Sequence, residues 1–138
     1  MKNSEFSLSN LTTVLDKIKT IFVVDPDPAE AEKVIMEQFP HGISITSEQL
    51  NAEMLKAIVT SGEKKFRHKF CDTPFLIITL DGDSAAKSAL QLELVFILSV
   101  RKYKELPTVL LSAENPETYP ITNESLISYT RVHTGIRK

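Results

Sequence analysis

Glycine is scarce in this sequence, cysteine nearly absent and tryptophan missing altogether. The glycines stand at 42, 62, 82 and 135, too far apart to form the glycine-rich cradle whose backbone N–H groups close on a phosphate. The usual nucleotide-binding fingerprint is therefore lacking. A lone cysteine, Cys71, rules out an internal disulfide, so nothing points to an oxidising compartment. His41, His68 and His133 are scattered without metal-ligand spacing, which argues against a zinc site. No apolar run is long enough to span a bilayer: residues 90–100 are interrupted by Gln91, Glu93 and Ser99. The first ten residues carry no apolar core of the signal-peptide kind. A net charge of −2 and a pI near 5.9 argue against a general nucleic-acid or membrane-surface binder. These absences lead us to expect a cytoplasmic protein with neither nucleic acid nor membrane as partner.

What is present is a chain of one-domain length, 138 residues, with ordinary apolar and charged fractions. It divides into an N-terminal extension, residues 1–19, with a short helix on Leu11, Val14, Leu15 and Ile18, and a main domain over 20–138. The organising stretch is Thr20 to Glu32. Ile21, Phe22, Val23 and Val24 read as a strand buried on both faces. It ends at Asp25, and Asp27-Pro28-Ala29-Glu30 opens a helix: Asp27 as N-cap, Pro28 in the first turn, Glu30 as capping-box partner. Carboxylates are thereby placed at the carboxyl end of a strand, where open α/β folds build their sites.

The same logic continues downstream. A helix over 28–39 is broken by Pro40-His41-Gly42, and a short strand follows over 43–45. Ser47 caps a helix that Gly62 closes, and residues 63–71 read as a polar, basic connection. Residues 75–80 give the strongest strand signal, ending at Asp81-Gly82-Asp83. A long helix is expected over 84–104. Its 90–96 portion also alternates with period two, but length and the alanines at 85, 86 and 89 favour the helix. A buried strand over 108–112 and a weaker one over 126–132 complete the pattern. Strands alternating with helices specify an α/β fold, a three-layer α/β/α sandwich around a central parallel five-stranded sheet with an atypical C-terminal part.

Three strand ends carry polar groups: Asp25 with Asp27, Asp81 with Asp83, and Ser112. Converging carboxylates and a hydroxyl would suit a hard cation such as Mg²⁺. Capping explains Asp27 and Asp83 as readily. In the order Ile21-Phe22-Val23-Val24-Asp25-Pro26-Asp27-Pro28, then Leu76-Ile77-Ile78-Thr79-Leu80-Asp81, then Leu106-Pro107-Thr108-Val109-Leu110-Leu111-Ser112-Ala113, the chain resembles the receiver (CheY-like) domains of two-component response regulators. That resemblance implies a flavodoxin-like sheet, an acidic pocket at Asp25 and Asp27, a phosphoacceptor at Asp81 and a switch hydroxyl at Ser112. Weak Mg²⁺ binding, or none, would involve Asp25 and Asp81; no other cofactor is implied. Pro26 stands where the family has a second acidic ligand, and Arg131 and His133 lie in a region where it has a lysine.

These departures suggest a pseudo-receiver: a non-enzymatic signalling module acting through protein contacts, its phosphoryl chemistry lost with its ligands. Two alternatives are a Mg²⁺-dependent phosphoacceptor receiver using Asp81, and an N-terminal wing-type accessory domain of a larger enzyme such as a basic-amino-acid decarboxylase. Leu126, Ile127, Tyr129 and Val132 form an expected interface, for a homodimer or an unidentified protein. The cations of 64–69, interleaved with Phe66 and Phe70, could serve nucleic acid or an acidic partner; a solvated connection with two anchoring aromatics is the plainer reading.

Overall fold

The computed structural model describes residues 11–81, 88–113 and 130–133. Strands β1 (Thr20–Val24), β3 (Leu76–Thr79) and β4 (Thr108–Ser112) are almost wholly buried, as their unbroken apolar runs require. β2 (Ile43–Thr46) is more open, and β5 (Thr130–His133) joins β1 by parallel pairing. All pairings are parallel, and the sheet order is β2-β3-β4-β1-β5.

Alternate residues of each strand feed two cores. Ile21, Val23, Ile77, Val109 and Leu111 meet α1 (Leu11–Lys17) and α2 (Pro28–Gln38), which contribute Leu11, Leu15, Ala31 and Ile35. Phe22, Ile45, Leu76, Ile78 and Leu110 meet α3 (Ser47–Val59), α4 (Glu63–Asp72) and α5 (Ser88–Tyr103). The helix expected in the N-terminal extension is thus part of a core.

Local signals explain most boundaries. Asp27 accepts the Glu30 N–H at 3.2 Å and so caps α2 as its sequence suggests. α3 opens one residue earlier than expected. Thr46, not Ser47, is the cap: its hydroxyl accepts the Gln49 N–H and the Gln49 side chain accepts the Thr46 N–H, a complete capping box. Its far end is closed by Ser61, at φ 58°, and by the Gly62 N–H donating to Ala57 O at 2.7 Å. Gly42 packs against Phe75; a Cβ there would come within 2.7 Å of the ring.

Helix α4 was expected to be a loop. Its apolar residues Phe66, Phe70 and Cys71 make a narrow stripe among charges, and Gly62 provides no side-chain cap. Residues 90–96 are helical, with Leu90, Leu94, Ile97 and Leu98 inside.

The strand order corrects the flavodoxin-like, receiver-type reading. That arrangement places its strands 2-1-3-4-5, with β1 beside β3. Here β4 lies between β1 and β3, and β1 is flanked by β4 and β5. Both orders answer the same alternation of buried strands and amphipathic helices, so periodicity cannot choose between them. Of the expected interface, Leu126, Ile127 and Tyr129 lie outside the described residues; Val132 sits in β5, in register with Val23.

Candidate functional site

The carboxyl edge of the sheet begins at the β1–α2 corner. Asp25 is fully buried, and its N–H donates to Ser112 O at 2.9 Å. Its carboxylate accepts the Asp27 N–H at 2.8 Å. Asp27 in turn accepts the Glu30 N–H. Pro26 and Pro28 have no N–H to offer. Across 26–30, two positions therefore lack donors and two more donate to the chain's own carboxylates. This helix start is capped by internal anions, and of the five positions only Ala29 keeps an N–H not removed by proline or spent on a carboxylate, where a phosphate loop converges several.

Asp81 sits at the end of β3, exposed at its own surface but tied to α3. The Ser47 hydroxyl lies 2.9 Å from both the backbone and a carboxylate oxygen of Asp81, and it accepts the Asp81 N–H at 2.9 Å. Ser47 is fully buried, a position its role as an expected cap would not have required. The sheet order puts Asp25 and Asp81 two strands apart, about 9–10 Å by strand spacing. Ser112 ends the strand between them. Among the described residues no group of three or more His, Cys, Asp and Glu could hold a metal ion. Asp83 lies outside the described residues.

Two further surfaces flank α4. On its α5 side, Arg67 forms a two-point ion pair with Glu93, at 2.9 and 3.0 Å, and its guanidinium stands 4.5 Å over the Phe96 ring. The Arg67 guanidinium is raised further above its ordinary pKa, chiefly by the hydrogen bond to Glu93. Along α5, Leu92, Phe96 and Tyr103 are exposed, Tyr103 by 89%. On its α3 side lies a groove lined by Lys56, Ala57, Thr60, Lys65, Phe66 and Lys69, among others. Phe66 and Phe70 are buried and meet edge to face, so they anchor α4 and offer no open ring face on which a base could stack, although Phe66 shows an edge to the groove. Cys71 is buried as well, and burial pushes its thiol up in pKa, away from reactivity. No helix among the described residues is long and apolar enough to cross a membrane.

No protein-family model and no curated protein matches the chain. Solved structures do. AMPPCP-bound DnaA from Aquifex aeolicus superposes with a TM-score of 0.78 at 13% identity, covering 94% of this chain and 44% of that one. The replication initiator DnaA bound to AMPPCP and single-stranded DNA gives 0.76 at 12%, covering 96% and 50%. Domain III of the Thermotoga maritima replication initiation protein DnaA gives 0.72 at 14%, covering 99% and 66%. This chain spans about half the length of the first two. At such identities the likeness establishes the fold.

That fold overturns the receiver resemblance together with its signalling role and response-regulator assignment. The phosphoacceptor and wing-domain alternatives gain no support from it either. The exclusion of nucleic acid is corrected too: one structure of this fold holds single-stranded DNA. Net charge is no ground for that exclusion, because it averages over the surface, whereas strand binding depends on a local patch.

Proposed function

We propose that this chain is a nucleotide-independent module on the DnaA domain III fold, working by non-enzymatic contacts with single-stranded nucleic acid in a replication-initiation setting. The observation carrying the first half is the β1–α2 corner. AMPPCP occupies two of the structures that share this fold. Asp25 and Asp27 turn carboxylates toward the donors a triphosphate would need, and Pro26 and Pro28 remove two of those donors. A triphosphate brought there would meet like charge and spent hydrogen bonds. The corner does not fit the group, and Mg²⁺ has no assembled ligand set among the described residues.

The α5 flank supports the second half. Exposed Phe96 and Tyr103 supply π surface and the exposed Lys102 beside Tyr103 supplies positive charge, the two elements of a sequence-tolerant strand site, while Arg67, paired with Glu93, stacks on Phe96. Anisotropy of a labelled oligothymidylate tests it. Binding should weaken with salt and fall about tenfold or more in a Phe96→Ala, Tyr103→Ala double variant, since stacking contributes about 1–3 kcal/mol per base. It should be unchanged by added AMPPCP. Binding that requires AMPPCP, or that ignores the double substitution, would refute the assignment.

A further inference from the structure

We propose that the groove between α3 and α4 docks an acidic, amphipathic segment of a partner protein, a role separate from the nucleotide and strand readings above. The groove has an apolar floor, Ala57 and Phe66, and a cationic rim, Lys56 on α3 with Lys65 and Lys69 on α4. Neither Lys56 nor Lys65 makes a side-chain ion pair among the described residues. Lys69 pairs with Glu53 at 3.1 Å, both about half exposed. An exposed pair of that kind is weak, and a carboxylate on an incoming segment can replace Glu53 at little cost. Thr60 and Gly62 of the α3–α4 turn line one end of the groove, and Thr60 Oγ1 donates to Lys56 O at 2.9 Å.

The surroundings decide between an acidic peptide and a nucleic acid. A single strand needs exposed rings on which bases stack, and both phenylalanines of α4 are buried. The exposed aliphatic side chains of α3, Leu55, Ile58 and Val59, lie on the side of that helix away from Glu53, Ala57 and Thr60, so the apolar surface of the groove is its floor alone. An apolar floor rimmed by lysines matches a helix or strand that alternates acidic and aliphatic residues. The carboxylates meet the rim, and one aliphatic side chain enters over Ala57 and the edge of Phe66.

The test uses the full chain and a labelled twelve-residue peptide of Glu and Leu at helical spacing. Its controls are a scrambled peptide of equal charge and an oligothymidylate of equal length. The amphipathic peptide should bind, with salt-sensitive affinity and with amide shifts confined to Ala57, Thr60, Gly62 and their neighbours. A Lys56→Glu, Lys65→Glu double variant should weaken it about tenfold or more while keeping its unfolding midpoint; a Lys56→Gln, Lys65→Gln variant gives the same reading should charge reversal unfold the chain. The Phe96→Ala, Tyr103→Ala variant should bind the peptide normally, which separates this groove from the α5 surface. No binding, equal binding of the scrambled peptide, or loss of oligothymidylate rather than peptide binding in the Lys56, Lys65 variants would each overturn the proposal.

Discussion

Arg101 heads the fully buried side chains by size, and among the described residues none of its hydrogen-bond partners is a carboxylate. Its guanidinium donates to the Thr108 hydroxyl at 2.7 Å and to the carbonyls of Phe70, Thr73 and Pro107 at 3.1, 2.7 and 2.8 Å. It thus ties the end of α4 to the entrance of β4, and the carbonyls at that helix end suit a cation. Burial lowers its pKa to about 10, which still leaves it charged at neutral pH. Arg101→Met keeps the length and removes every donor. Urea unfolding should show a loss of about 3 kcal/mol or more, because several buried acceptors lose their partner together; a loss below about 1 kcal/mol would mean that water replaces the side chain. Cys71 lies at the same junction with its thiol buried. It should react with a disulfide reagent slowly in the folded chain and fully in urea, whereas rapid labelling without denaturant would show that α4 detaches readily.

Capping chemistry makes several elements readable in the sequence. Asp27 and Pro28 announce α2, and Asp27→Ala should cost about 1 kcal/mol, measured by the shift in unfolding midpoint at constant slope. Ile77, at the centre of β3 and fully buried, should cost about 2–5 kcal/mol on replacement by Ala. A loss under about 1 kcal/mol would contradict burial of that strand on both faces. Helix α4 was not legible because its turn lacks a side-chain cap and only Phe66, Phe70 and Cys71 mark its inner face. Three apolar positions among seven polar ones look like a loop until Met54 of α3 and Leu94 of α5 supply the surface they pack against. The bond between Ser47 and Asp81 was equally hidden, since 34 residues separate them and a serine next to a helix start looks like a cap.

At the scale of the molecule, the alternation of strands and helices revealed a parallel α/β sheet, and that much the structure retains. The order of strands was not legible. Each of β1, β3 and β4 is hydrophobic on both faces, so each is compatible with any interior position, and nothing in Ile21–Val24 says whether β3 or β4 is its neighbour. The sequence pattern allows Asp25 and Asp81 to converge on neighbouring strands, whereas β4 stands between β1 and β3. The acidic β1–α2 corner was read correctly as local structure, an N-cap following a buried strand. Its larger meaning follows only from the fold: this corner is filled by the chain's own carboxylates in an architecture whose solved examples include AMPPCP complexes. The most direct measurement is an amide chemical-shift titration of the full chain with AMPPCP and Mg²⁺, followed at Asp25, Asp27, Ala29, Glu30 and Ala31. These resonances should stay in place at millimolar nucleotide. Saturable shifts centred on that corner, with micromolar affinity, would contradict it.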